Sequence, residues 1–197
     1  MTGKLFLSVL LLLVVACPRF TNSQSIENAA IEREEYAVYS ATLSTLQEWF
    51  QPKQWVIANP TLAYGEIQKK YVYFALKGAP IASDEIFEDH SRRNKSNRWL
   101  ERRLELKTEY VIVDFREIKK IFDLSDSNYP PKSFSEKYPG AGGFIRLSRV
   151  GFNSAMDEAL VLAAWSCGIL CGQGELLFFS KKNGVWTVVN RAMLFQS

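Results

Sequence analysis

The last 54 residues constrain the fold most, because four runs of strand-forming residues follow one another there at short intervals. Phe144 to Val150, Ala159 to Trp165, Glu175 to Lys181 and Val185 to Val189 are all rich in apolar residues. Lys182-Asn183-Gly184 separates the last two, and Asn-Gly accepts the positive φ angles of a tight hairpin turn. Arg191 to Phe195 continues the final strand past a bend. Strands joined by turns this short pair antiparallel, so the segment is predicted to form a β-meander.

Ahead of it, Tyr36, Tyr39, Leu43, Leu46 and Phe50 recur at steps of three and four, which predicts a helix from Glu27 to Phe50 that Pro52 stops. On that pattern Glu32, Arg33, Glu35, Ser40 and Gln47 fall largely off the apolar side. The middle of the chain alternates shorter elements. Trp55 to Ala58, Tyr71 to Leu76 and Tyr110 to Val113 read as strands, with a turn at Asn59-Pro60. A short helix capped by Ser83 opens on Asp84 and Glu85, and further helices are expected over Arg98 to Leu106 and Arg116 to Phe122. Ser125 to Gly143 is loop-like, with room for a short helix near Phe134 to Tyr138. The fold class is therefore α+β: a long N-terminal helix packed on a mostly antiparallel, curved sheet that ends in the meander. In outline this resembles the NTF2-like and cystatin-like cones.

The first residues serve another purpose. Lys4 precedes Leu5 to Ala16, an almost unbroken apolar run that as a helix covers only about 18 Å of a hydrocarbon core about 30 Å thick. It reads as a secretory signal over residues 1–16, followed by a tether over 17–27 and a single α+β domain over 28–197. Val14-Val15-Ala16-Cys17 resembles the lipobox of bacterial lipoproteins, and that resemblance implies acylation of the Cys17 thiol after cleavage. Thr21-Asn22-Ser23 offers a second cleavage point that would release a soluble secreted chain, and retention of the run as an uncleaved anchor is a third route.

Acylation would alter the cysteine arithmetic. Of three cysteines it consumes Cys17 and leaves Cys167 and Cys171 as a pair in a compartment where disulfides persist. Residues four apart on one straight strand lie about 13 Å from each other, so a bridge requires a turn, which Gly168 can supply. Gly172 and Gly174 suggest that the chain stays irregular just beyond. Two free buried cysteines on a strand are the alternative.

Charge narrows the partners. The chain carries 24 basic and 21 acidic side chains, and losing Lys4 with the signal leaves a near balance. Nucleic acid is not expected as a partner. Arg92, Arg93, Lys95, Arg98, Arg102 and Arg103 form the one basic concentration, suited at most to anionic headgroups or an acidic envelope polymer. An ordinary charged surface explains it better. Asn94-Lys95-Ser96 fits a glycosylation sequon, which would be silent in a bacterial cell.

No motif carries chemistry. His90 is the only histidine and lacks the companions a zinc site needs. Asp84, Glu85, Glu88 and Asp89 lack the spacing of a calcium loop and read as a solvated helix end. A triad of His90, Asp114 and a serine has no nucleophile elbow to support it, and a pairing of His90 with Cys167 or Cys171 competes with a structural bridge. Gly168, Gly172 and Gly174 precede a strand, not the helix of a phosphate cradle. No catalytic residue, cofactor or metal is assigned.

Ser148-Arg149-Val150-Gly151-Phe152-Asn153, then Cys167-Gly168, Cys171-Gly172-Gln173-Gly174, and Lys181 with Gly184-Val185-Trp186, resemble a pattern of uncharacterised bacterial exported proteins. The pattern covers about a quarter of the chain. It implies export, to the periplasm or cell surface, and no mechanism. The expected role is a lipid-anchored binding or interaction module with an envelope ligand or protein as partner, in a cleft between helix and sheet lined by Tyr, Trp and Phe, with the loop from Ser125 to Gly143 near its mouth. The alternatives are a hydrolase, which requires His90 beside a nucleophile and an acid, and a structural component of an envelope assembly.

Overall fold

A computed structural model describes residues 21–63, 83–122, 130–168 and 170–197. The expected strand at Tyr71 to Leu76, the signal and Cys17 lie outside them. The elements run α1 (Thr21–Phe50), β1 (Gln54–Asn59), α2 (Asp84–Arg93), β2 (Glu109–Asp114), α3 (Phe115–Phe122), α4 (Lys132–Lys137), β3 (Phe144–Leu147), β4 (Gly151–Phe152), β5 (Glu158–Gly168), β6 (Cys171–Lys182) and β7 (Val185–Gln196). This is an α+β fold, a long N-terminal helix on a seven-stranded mixed, open sheet that closes in a β5–β6–β7 meander.

The strand order is β2-β1-β3-β5-β6-β7, with β4 paired to β5 off that path. β1 pairs parallel with β2 and with β3, and the other pairings are antiparallel. Two parallel pairings were not legible beforehand, because parallel neighbours sit far apart in sequence and leave no turn signal.

α1 is 30 residues long, so it spans about 45 Å. It starts at Thr21, ahead of the expected Glu27 and within the stretch 17–27 expected as a tether. Its end follows from Gln51, whose φ of 44° turns the chain before Pro52. Tyr36, Tyr39, Leu43 and Leu46 are buried as the spacing required. Glu35 and Ser40, expected off that side, are buried as well. Among the described residues no helix is long and apolar enough to cross a membrane.

Alternation along the strands gives the sheet two apolar faces. Trp55, Ile57, Ile145, Leu147, Val161 and Trp165 meet α1 in the largest cluster. The opposite face carries two smaller clusters, one around Leu160, Leu162 and Phe178 under α2, the other around Val56, Ala58 and Phe144 under α3 and α4.

The helix expected over Arg98 to Leu106 is absent; the chain there is an irregular strap. The cause is competition for backbone donors. Arg98 N–H donates to Thr61 Oγ1, Leu100 to Asn59 Oδ1, Glu101 to the Tyr36 hydroxyl, Leu104 to the Tyr110 hydroxyl and Glu105 to Ser40 Oγ. The Leu104 and Glu105 amides are ones a helix would direct into its own ladder, and all five are bound instead by side chains from other elements that hold the chain extended. Leu100 and Leu104 still reach the core under α1.

Gly172 and Gly174 both lie within β6, and the irregularity expected there takes the form of a register shift against β7 between Gly174 and Glu175. A Cβ on Gly174 would strike the ring of Phe195 on β7, so the glycine makes room for an aromatic side chain and does not loosen the strand. The bend expected near Asn190 is a register shift opposite Phe178 and Phe179.

Candidate functional site

Where α1 passes over the end of α2, an open cleft of about 650 Å³ forms. α1 contributes Glu27, Ala30, Ile31 and Glu34, and α2 contributes Glu85, Glu88, Asp89, Arg92 and Arg93. Phe152, Asn153, Ser154 and Met156 close it from β4 and the turn that follows. Ala30, Ile31, Phe152 and Met156 supply apolar lining, while the charged groups among the described residues are five carboxylates against two guanidiniums.

The expected cleft between helix and sheet differs in its lining. Among the described residues, Phe152 is the one aromatic residue there, and none of the lining comes from residues 130–143 of the expected loop. Packing explains the change. Tyr36, Tyr39, Trp55 and Trp165 are consumed by the core beneath α1, where burying their rings stabilises the helix–sheet contact.

The turn after β4 is held by one residue. Asn153 Oδ1 accepts from the amides of Asp157 and Glu158, and its Nδ2 donates to Asp157 Oδ1. Met156 N–H donates to Asn153 O, and Met156 takes a φ of 56°. A non-glycine residue in that region costs about 1 kcal/mol or more, which the Asn153 bonds offset while the thioether is held in the cleft. Across the opening, Glu85 accepts from both the amide and the hydroxyl of Ser154 at 2.9 Å. These two bonds hold the Glu85 carboxyl below its ordinary pKa.

Beneath the cleft lies a buried ion cluster centred on Glu35, which is 1% exposed. Arg93 Nη2 donates to its Oε2 at 2.8 Å, Arg149 approaches both oxygens at 3.4 Å, and Arg98 stands 3.6 Å away. The Tyr39 hydroxyl and the Val150 amide donate to Oε1 at 3.0 and 3.1 Å. Burial pushes the Glu35 carboxyl up, but Arg93 and Arg149 outweigh it and hold the pKa below the ordinary value. Next door, Glu34 takes Trp186 Nε1 at 2.9 Å and Lys181 Nζ at 2.8 Å. Asp89 pairs with Arg92 and accepts the Phe152 amide.

The C-terminal pattern thereby acquires a physical meaning. Arg149 and Val150 grip Glu35, Lys181 and Trp186 grip Glu34, and Asn153 shapes the cleft turn. Gly151 packs so closely on α2 that a Cβ would collide with His90 and the Ile86 carbonyl. These residues fix α1 and α2 to the sheet and so define the cleft.

His90 faces inward from α2 and is 1% exposed. Its Nε2 lies 3.0 Å from Ser148 Oγ, which also donates to the Arg149 carbonyl and accepts the Leu162 amide. With the one hydroxyl proton directed to that carbonyl, Nε2–H is the donor to Ser148 and Nδ1 is a bare acceptor. Among the described residues nothing bonds to Nδ1. Burial, aided by Arg93, lowers the His90 pKa to about 4, so the ring is neutral at pH 7. Histidine and serine do meet, but Ser148 is fully buried and, among the described residues, no carboxylate orients the ring. Asp114 is instead forked by Arg116 at the end of β2.

The other candidates resolve as follows. The basic concentration is dispersed: Arg93 is paired inside, Arg98 and Arg103 both bind Glu32, and Arg102 stacks on Tyr110 at 5.3 Å. Cys167 and Cys171 stand at disulfide distance across the β5–β6 hairpin, with Cα atoms 5.2 Å apart. Among the described residues no group of three or more His, Cys, Asp or Glu side chains gathers as metal ligands do. Neither the Glu35 cluster nor the cleft was readable beforehand, since Arg149 lies 114 residues from its partner. No protein-family model, curated protein or solved structure matches this chain.

Proposed function

We propose that this is an exported cell-envelope binding module, tethered by a lipid on Cys17, whose cleft between α1 and α2 takes a cationic ligand with an apolar stem. The observation that carries the reading is the cleft itself. Its apolar lining suits an alkyl chain, and among the described residues its five carboxylates exceed its two guanidiniums. Glu27 and Glu88 are exposed on its rim and, among the described residues, make no ion pair, so both are free to meet a cation. The hydrolase alternative loses support, because the single histidine is enclosed with a serine that solvent does not reach.

A fluorescent peptide of alternating lysine and leucine tests the ligand class by anisotropy. Binding should weaken about tenfold or more in Glu88→Lys and at raised salt, as expected when rim charges attract the ligand. Equal binding by the wild type and by a double Glu27→Lys, Glu88→Lys variant would remove the proposal. The intact mass of the natively exported chain tests the anchor: acyl mass on a chain beginning at Cys17 supports it, and an N-terminus at Gln24 overturns it. A mass about 2 Da below the reduced chain would reveal the Cys167–Cys171 bridge.

A further inference from the structure

The two edges of the sheet are built differently. β2, the strand at one edge, is six residues long and carries Glu109 and Asp114 at its ends. β7, at the other, is twelve residues long and contains a single charged side chain, Arg191. That charge is already spent, since Arg191 Nε donates to Glu175 on β6 at 2.8 Å. β7 has no lysine, no proline and no acid, the residues that ordinarily keep an edge strand from pairing.

Its side chains add to the contrast. Val185, Val189, Met193 and Phe195 are between 44% and 64% exposed, and Trp49 of α1 stands beside the strand at 70%, stacked on Arg191 at 5.0 Å. Among the described residues no strand lies beyond β7. Half of a terminal strand's amides and carbonyls face outward, and only another extended strand can satisfy them in register.

We propose that two copies of this chain associate through β7, edge to edge and antiparallel, so that the two sheets become continuous. A two-fold axis makes the strand its own complement: outward donors meet outward acceptors, and apolar side chains meet on both faces. Neutrality selects this occupant. A charged partner strand would find no countercharge on β7, whereas a second β7 brings none that needs one. The two register shifts against β6 divide β7 into straight stretches, one of them Asn190 to Met193, which keeps each paired run short and the association reversible.

Sedimentation velocity of the exported chain from about 1 to 100 µM tests this, because mass action makes a reversible dimer grow with concentration. The expected result is a shift from the mass of one chain to that of two. Val189→Lys replaces an exposed side chain and should raise the dissociation constant about tenfold or more by setting like charges near the axis. Leu170→Lys, the same change at the exposed hairpin tip between β5 and β6, should leave it unaltered. Should Val189→Lys fold poorly by near-ultraviolet circular dichroism, Val185→Lys serves in its place. A monomer throughout, a dimer indifferent to both β7 variants, or a monomer that instead takes up an unrelated apolar strand peptide would each overturn the proposal.

Discussion

The two faces of the sheet treat buried charge in opposite ways. On the α1 face, Glu35 lies under a helix and is surrounded by Arg93, Arg98 and Arg149. On the opposite face, Arg146 of β3 is half-buried with no carboxylate at ion-pairing distance among the described residues, and it rests on the Phe115 ring at 3.9 Å. Burial lowers the Arg146 pKa, with nothing opposing it. A paired cluster made of directional bonds can specify where a helix sits, while a lone cation over a ring contributes little to position. The single large cluster under α1 and the divided clusters opposite agree with that difference.

The comparison breaks most severely at its centre. Glu35→Ala leaves three guanidiniums with reduced compensation, and the denaturation midpoint should report a loss of about 3 to 5 kcal/mol. A loss under about 1 kcal/mol would mean that the cluster does not hold α1. Acid should act next. His90 is neutral in the fold with a pKa of about 4, against 6.5 when exposed, so the unfolded chain binds its proton first as pH falls. Its contribution is complete above pH 6.5 and is lost on the way down to pH 4, about 3 kcal/mol in all. The Glu35 contribution is lost only as pH falls below the ordinary carboxylate value of 4.5, because its pKa is depressed from that value. Denaturation at pH 7, 5.5 and 4 separates the two, and in His90→Gln the upper window should flatten. The smallest effect belongs to Arg146→Met, which should change stability by less than about 1 kcal/mol in either direction. A large loss there would show that the second face depends on its charge after all.

What could be read beforehand followed the reach of the forces involved. The meander was legible because each strand pairs with its neighbour in the chain and Asn183-Gly184 marks the hairpin. α1 was legible from Tyr36 to Phe50, where one side packs on the sheet. Glu35 was not, since nothing local separates it from Glu32 and Glu34; the bonds that bury it come from residues 93, 98 and 149. The helix expected at Arg98 to Leu106 failed for the same reason. Its local propensity was outbid by hydroxyls and an amide from Tyr36, Ser40, Asn59, Thr61 and Tyr110. The cleft combines positions from three distant stretches, so neither its volume nor its acid rim leaves a trace in any one of them.

That strap has a consequence for how order would be perceived in this protein. It contributes nothing to helix or strand content, and a circular dichroism spectrum would count it as coil. Yet its amides at 98, 100, 101, 104 and 105 are each held by a side chain, three of them by the helix Tyr36 and Ser40 belong to or the strand that ends in Asn59. Hydrogens held in this way leave for solvent only when their partners let go. The strap and the middle of α1, around Tyr36 and Ser40, thus open together, and a stretch without regular structure keeps time with the helix it crosses.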